Sequence, residues 1–211
     1  MLDSKLKNIK VGIIDLKINN IHSVYHAFKT AGFKTEIVKK SFNYNLIILP
    51  GVGSFGSGMK IIKKHNIEEK LRKFLENKQN YLYGICLGMQ LLLDKSYEFN
   101  EYAGMGLVKG VVKKIKKNKE NRVPNIGWHQ LIHVNKNQFI GKELKNKKFY
   151  FVHSFYCDVE KHEAIDTYIK LDKQKICSSL KYENIIATQF HPEKSGLPGM
   201  KLIKNIEKFF K

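Results

Sequence analysis

The feature that most constrains this chain is a set of short, uninterrupted apolar runs: Val11–Ile14, Leu46–Leu49 and Tyr81–Ile85. A strand that is apolar at every position has no face to give to water, so it must be covered on both sides. Helix-like stretches lie between the runs, which places those covers on the two faces of a parallel sheet. Asn20 introduces a helix over Ile21–Ala31 that Gly32 ends. Thr35–Val38 reads as a second strand, and Leu46–Leu49 as a third, stopped by Pro50 and Gly51. A helical region follows from Met59 to Asn77, in one piece or two. Tyr81–Ile85 is the fourth strand, and Leu87–Leu93 opens another helix. The second half reads mostly as strands and turns, at Leu107–Ile115, Gln130–Val134, Phe149–Val152, Lys175–Lys181 and Ile185–Phe190, before a last helix over Pro198–Phe210. The expected fold class is α/β, a mostly parallel central sheet with an antiparallel-rich second half. No repeat or linker divides the 211 residues, so a single domain over 1–211 is expected.

With 43% hydrophobic and 27% charged residues the chain falls in the ordinary soluble range. No apolar run approaches the roughly 20 residues that span a bilayer. Polar Met1–Lys10 lacks the apolar core of a signal peptide, so no membrane and a cytoplasmic location are expected. Cys86, Cys157 and Cys177 show no CxxC spacing, which argues against a disulfide framework or a structural zinc. A formal charge of +19 invites a nucleic-acid reading. Yet of 38 basic residues only Arg72 and Arg122 are arginine, the residue suited to bidentate phosphate and base contacts. The lysines are scattered along the chain, so they read as a solvated surface and no nucleic-acid partner is expected. Lys113–Lys119 and Lys145–Lys148 read as exposed turns.

Three segments carry chemistry. Gly84-Ile85-Cys86-Leu87-Gly88 lies between an expected strand and an expected helix, the setting of a nucleophile elbow. The tight turn crowds its neighbours, hence the glycines, and lifts the thiol above the sheet edge at a helix N-terminus that favours thiolate. The next N–H, that of Leu87, points where an oxyanion would form. For the pentapeptide alone, an inert buried cysteine is the alternative. In Gln189-Phe190-His191-Pro192-Glu193, a strand continuing to this point would put His191 and Glu193 on one face. The pair then serves as base and orienter for a thiolate. A structural histidine is the alternative. Pro50-Gly51-Val52-Gly53 follows a buried strand, at the edge where open α/β sheets bind ligands. Its N–H groups at Gly51 and Val52, with that of Leu87, could complete an oxyanion hole; an ordinary tight loop is the alternative. His22 and His26 have the i, i+4 spacing of metal ligands, but no third ligand is in view.

Together these residues resemble the class I, triad-type glutamine amidotransferases. Asn20-Ile21-His22-Ser23-Val24, Pro50-Gly51-Val52-Gly53-Ser54-Phe55-Gly56, Val123-Pro124-Asn125-Ile126-Gly127-Trp128, Phe149-Tyr150-Phe151-Val152-His153-Ser154 and Gln189–Gly196 narrow the likeness. They resemble the glutaminase subunits of imidazole glycerol phosphate synthase, in order along the chain. The resemblance implies a flavodoxin-like fold in which Cys86 attacks the glutamine side-chain carbonyl to form a thioester. His191 would act as base and then acid, and Glu193 would orient it. Gly53, Gln90, Glu98, His153 and Ser154 match positions around the glutamine substrate. Asn20, Trp128 and Lys194 match positions near a heterodimer partner, a (βα)8-barrel cyclase that receives ammonia in histidine biosynthesis. No metal or organic cofactor is implied.

One segment departs from the family. Where it has Asp-Tyr-Gly-x-Gly-Asn, this chain has Asp15-Leu16-Lys17-Ile18-Asn19-Asn20, so the loop is expected to be shaped differently. That departure leaves open a paralogue that supplies ammonia to a sugar amidotransferase in surface polysaccharide synthesis. A catalytically silent regulatory subunit and a free-standing cysteine hydrolase are the readings from other classes.

Overall fold

The computed structural model describes residues 6–17, 21–39, 41–117, 122–133 and 139–210. Its first half alternates as the apolar runs demand: β1 (Lys10–Ile13), α1 (Ile21–Ala31), β2 (Lys34–Ile37), β3 (Leu46–Gly51), α2 (Phe55–Lys64), α3 (Ile67–Glu76), β4 (Tyr81–Cys86) and α4 (Leu87–Leu91). The second half contains β5 (Lys95–Ser96), β6 (Tyr102–Ala103), β7 (Gly110–Lys114), β8 (Asn125–Gln130), β9 (Ile132–His133), β10 (Lys148–His153) and β11 (Phe155–Val159). It continues through β12 (Ile165–Leu171), β13 (Gln174–Tyr182), β14 (Ile185–Thr188), a 3₁₀ turn at Pro192–Lys194, α5 (Gly196–Asn205) and a closing 3₁₀ turn at Ile206–Phe210.

The main sheet runs β2-β1-β3-β4-β14-β13-β12-β9. Strands β2 through β14 pair in parallel, and β13, β12 and β9 continue the sheet antiparallel. Smaller sheets, β10-β8 and β11-β7-β5-β6, are built from the second half. Double coverage is visible in β3. Leu46 and Ile48 join the core that holds Val24 and Phe28 of α1 and Leu202 of α5. Ile47 and Leu49 enter the opposite core with Met59 of α2 and Leu71 of α3. The order of β2, β1, β3 and β4 brings the C-terminal ends of β3 and β4 side by side, at the edge where such sheets bind ligands.

Several boundaries differ from the sequence reading, for local reasons. The third strand does not stop at Pro50. It pairs with β4 through Pro50↔Ile85 and Gly51↔Cys86, whereas its pairing with β1 ends at Ile13↔Ile48. Pro50 therefore sits where one side of β3 is already an edge, and its missing N–H costs no ladder bond. The helical region starts at Phe55, capped by Ser54, whose Oγ accepts the Ser57 N–H. Left-handed Asn66 divides it in two. Strand β14 ends at Thr188, whose hydroxyl donates to the Phe190 carbonyl, and Pro192 opens a 3₁₀ turn. The last helix starts at Gly196 because its first turn has no N–H requirement that Pro198 would violate. Strands β11 and β12 went unread, β12 because register irregularities break its alternation. Of the lysine-rich stretches, Lys113 and Lys114 belong to β7 and Lys148 to β10, while Lys145 and Lys147 lie in an exposed turn. Val134 and Lys119 fall outside the described residues.

In the altered loop, Lys17 holds φ 56°, the left-handed conformation that glycine favours. Asp15 secures it by accepting the Lys17 backbone N–H at 2.8 Å and pairing with its Nζ at 2.6 Å. Ile18, Asn19 and Asn20 lie outside the described residues.

Candidate active site

Cys86 ends β4 and turns straight into α4. Its backbone has φ 54° and ψ −108°, a sparsely populated conformation for a residue with a side chain. The surroundings enforce it. A Cβ on Gly88 would sit 1.7 Å from the Leu49 carbonyl oxygen, and one on Gly84 would sit 2.9 Å from the Met89 nitrogen. The two glycines are thus dictated by backbone approach between β3, β4 and α4. The helix after Cys86 has only five residues, all buried, so its dipole contributes less to the thiol than the sequence suggested.

His191 is 1% exposed, and its Nδ1 lies 2.8 Å from Glu193 Oε1. A carboxylate can only accept, so the ring proton is on Nδ1 and Nε2 is left available. That Nε2 is buried and makes no hydrogen bond. Burial opposes a charge on the ring. The neighbouring Cys86, then Glu193, outweigh it and push the His191 pKa up to about 10. Strand alternation is not what joins His191 to Glu193. Since β14 has ended, His191 is the N-terminal flank of the Pro192–Lys194 turn, and that turn folds Glu193 back onto the ring.

Cys86 opens on a cavity of about 440 Å³. Most of the expected residues line it: Val52, Gly53, Leu87, Gln90, Glu98, His153, Ser154 and Lys194. Gly51 does not; it is taken up in the β3–β4 ladder opposite Cys86. His191 and Glu193 do not line it either. Asn20 lies outside the described residues. Trp128 stands apart on β8, 51% exposed and edge-on to Tyr150. Cavities of similar size beside Ser54–Lys63 and beside Gln130–Asn146 contain no cysteine. His22 and His26 are exposed on α1, and among the described residues no group of three or more His, Cys, Asp or Glu could hold a metal ion. No helix among the described residues is long and apolar enough to cross a membrane.

The sequence reading missed Gln189, which is fully buried with its Nε2 3.6 Å from Cys86 Sγ. A neutral carboxamide beside a histidine–carboxylate pair has no spacing or charge signature, so although Gln189 opens that motif nothing in the sequence gave it a role. Pro124, Val152 and Phe155, also unmarked, complete the cavity wall.

His153 is held by its Nδ1, 2.8 Å from the Phe155 carbonyl, and its Nε2, 3.0 Å from Asn125 Nδ2. The carbonyl fixes the proton on Nδ1, so Nε2 accepts from Asn125, whose Oδ1 receives the His129 Nε2–H at 2.8 Å. Burial, the largest cause, brings the His153 pKa down to about 4, so this ring stays neutral near pH 7. The unfolded chain binds a proton here below its ordinary pKa of 6.5 while the native ring does not. Stability from this group is therefore complete above that pH and is lost progressively as pH falls toward about 4, by at most about 3 kcal/mol. In urea titrations, the stability gap between the wild type and His153→Gln should narrow on going from pH 7.5 to pH 4.5. An unchanged gap would contradict a neutral native His153.

The elbow, the histidine–carboxylate pair and the cavity on a parallel sheet edge define a class. The chain belongs to the class-I glutamine amidotransferase family, whose model matches residues 12–208. Among its relatives, "Imidazole glycerol phosphate synthase subunit HisH" of Aquifex aeolicus is 37% identical, with 93% of this chain and 95% of that protein covered. The protein of the same name from Prochlorococcus marinus is 34% identical over 92% of this chain and 96% of its own length. The "Structure of PurLQS from Thermotoga maritima" superposes with a TM-score of 0.74 at 20% identity, covering 96% of this chain and 99% of that one, a likeness of fold.

Proposed function

We propose that this chain is the glutaminase subunit of imidazole glycerol phosphate synthase, releasing ammonia from glutamine and passing it to a cyclase subunit in histidine biosynthesis. The observation that carries the reading is the buried His191–Glu193 pair close to a thiol at the wall of a cavity. The Cys86 thiolate adds to the glutamine side-chain carbonyl, with the N–H groups of Val52 and Leu87, both at the cavity wall, as the expected oxyanion donors. Collapse of the intermediate expels ammonia, which takes its proton from His191 Nε2, and a thioester remains. His191, now neutral, draws a proton from water, which cleaves the thioester to glutamate. Gln90 has both N–H bonds engaged, by the Phe155 carbonyl and Gln189, and so offers the substrate only an acceptor oxygen. Together with the Glu98 carboxylate it suits the substrate's α-ammonium group.

The (βα)8-barrel form of the partner belongs to this proposal, as does its docking near Trp128, Lys194 and the Asn20 loop. So does a cytoplasmic location. The relatives' shared name favours the histidine pathway over sugar amidation. The deciding experiment measures glutamate release by the purified chain, alone and with the co-encoded cyclase plus its nucleotide substrate. Strong stimulation supports the assignment. Slow release without stimulation would redirect the ammonia to another acceptor.

Two further outcomes follow from the roles. Glu193→Gln should cost about a hundredfold less turnover than loss of the nucleophile, because an orienting group is only partly replaced by an amide. Steady-state glutamate release tests this, and equal losses would remove Glu193 from the orienting role. Cys157 and Cys177 are buried, and burial pushes both thiols up, Cys157 strongly, away from reactivity. Cys157→Ser and Cys177→Ser should retain glutaminase turnover within about threefold, since neither is placed to touch substrate. A folded but inactive variant would contradict this.

A further inference from the structure

Hydrogen-bond direction around Cys86 can be worked out one partner at a time. The Phe155 carbonyl oxygen lies 3.0 Å from Gln90 Nε2 and can only accept, so the amide nitrogen of Gln90 must face it. The same NH₂ group lies 3.1 Å from Gln189 Oε1. That contact turns the Gln189 oxygen toward Gln90 and aims its own NH₂ at Cys86 Sγ, 3.6 Å away. Gln189 has no exposed surface on which to adopt another rotamer. The sulfur therefore faces an oriented N–H donor, which a thiolate can use and a thiol proton cannot. On the other side the Val152 carbonyl lies 4.0 Å from Sγ, at the far limit for a weak S–H contact.

We propose that Gln189 is a further site residue, whose carboxamide N–H stabilises the Cys86 thiolate and holds its sulfur in place, with Gln90 locking the amide's direction. This rests on the reading of Cys86 as the nucleophile. Because Gln90 also bounds the substrate cavity, the chain from Gln90 through Gln189 to Cys86 joins the glutamine subsite to the attacking atom by two hydrogen bonds. Other ionisable groups near Cys86 are His191 and Glu193 at the 3₁₀ turn, Cys157 on β11, and Glu98, Lys194 and His153 on the cavity wall. All are retained in the variants below.

The test is the pH dependence of Cys86 alkylation by iodoacetamide in the full chain, read by peptide mass spectrometry. Gln189→Met keeps length and volume but removes the donor. Its alkylation midpoint should move up by about one pH unit, with wild-type reactivity regained at high pH, as expected for loss of one hydrogen bond to a charged acceptor. Gln90→Leu leaves Gln189 in place but unlocks its amide, and should move the midpoint the same way by a smaller amount. It also serves if Gln189→Met fails to fold. A folded variant with an unmoved midpoint, whatever its turnover, makes Gln189 a packing residue and overturns the proposal. Wild-type Cys86 that glutamine does not protect from alkylation overturns the nucleophile reading instead.

Discussion

Cys86→Ala should abolish glutamine-dependent product formation, by about 10⁴-fold or more, while the complex with its cyclase continues to work on added ammonium salts. The asymmetry follows from where the residue stands. Cys86 contributes its sulfur to the cavity wall, and the only step that needs it is covalent attack on the amide. Free ammonia bypasses that step. The side chain is 6% exposed, and alanine leaves a small void without stranding a buried charge, because neutral His191 is then free to form. The backbone strain at φ 54° remains, as alanine suffers it equally. Assays with glutamine and with ammonium chloride, on the same preparation, separate the cases. Loss of both activities would mean that Cys86 shapes the docked complex. Retained glutamine turnover would end the covalent mechanism and admit a silent or differently armed subunit.

Gly88→Ala should be severely damaging for a single added methyl group. Its Cβ would lie 1.7 Å from the Leu49 carbonyl oxygen and 2.8 Å from the Leu49 carbonyl carbon. Neither atom belongs to a side chain that can turn aside; both belong to β3, which is hydrogen-bonded to β4 up to the elbow. Relief requires α4 to lift off the sheet, carrying Leu87 and the Cys86 turn with it. A loss of about 3 kcal/mol in urea unfolding is expected, with glutaminase activity lost even at temperatures where the variant is folded. Gly196→Ala is the contrast. Nothing lies within 4 Å of a Cβ there, and only the positive φ of 58° opposes it. That variant should cost about 1 kcal/mol and leave turnover intact. A well-folded, active Gly88→Ala would show that the elbow can relax more than its contacts allow.

The contrast between these glycines bears on what was readable. Apolar continuity in Leu46–Leu49 and Tyr81–Ile85 required cover on both faces, and β3 indeed divides its side chains between two cores. Helix α1 was legible to the residue because Gly32 and a clean apolar face mark it. The second half was read less well. Strands β5 and β6 are two residues each, and β12 is irregular in register; pairing with distant strands, not local pattern, makes them strands. Within the site, Cys86, His191 and Glu193 announced themselves because a cysteine framed by two glycines and a histidine two positions from a carboxylate are chemical spacings. The reason given for joining His191 to Glu193 was incorrect, since a proline-led turn and not strand alternation brings them together.

By itself the sequence determined the class of sheet, the position of the elbow and the residue types gathered at the candidate site, because burial periodicity and crowding at a tight turn are local properties. Tertiary structure alone decided that Gly51 is spent in a ladder, that His153 is neutral, and that Gln189 aims a donor at the sulfur. Each of these depends on groups 35 (Gly51 and Cys86) to 103 (Gln189 and Cys86) positions apart in the chain or on burial from every side. A hydrogen bond's direction is set by the partner's partner, and no linear pattern records it.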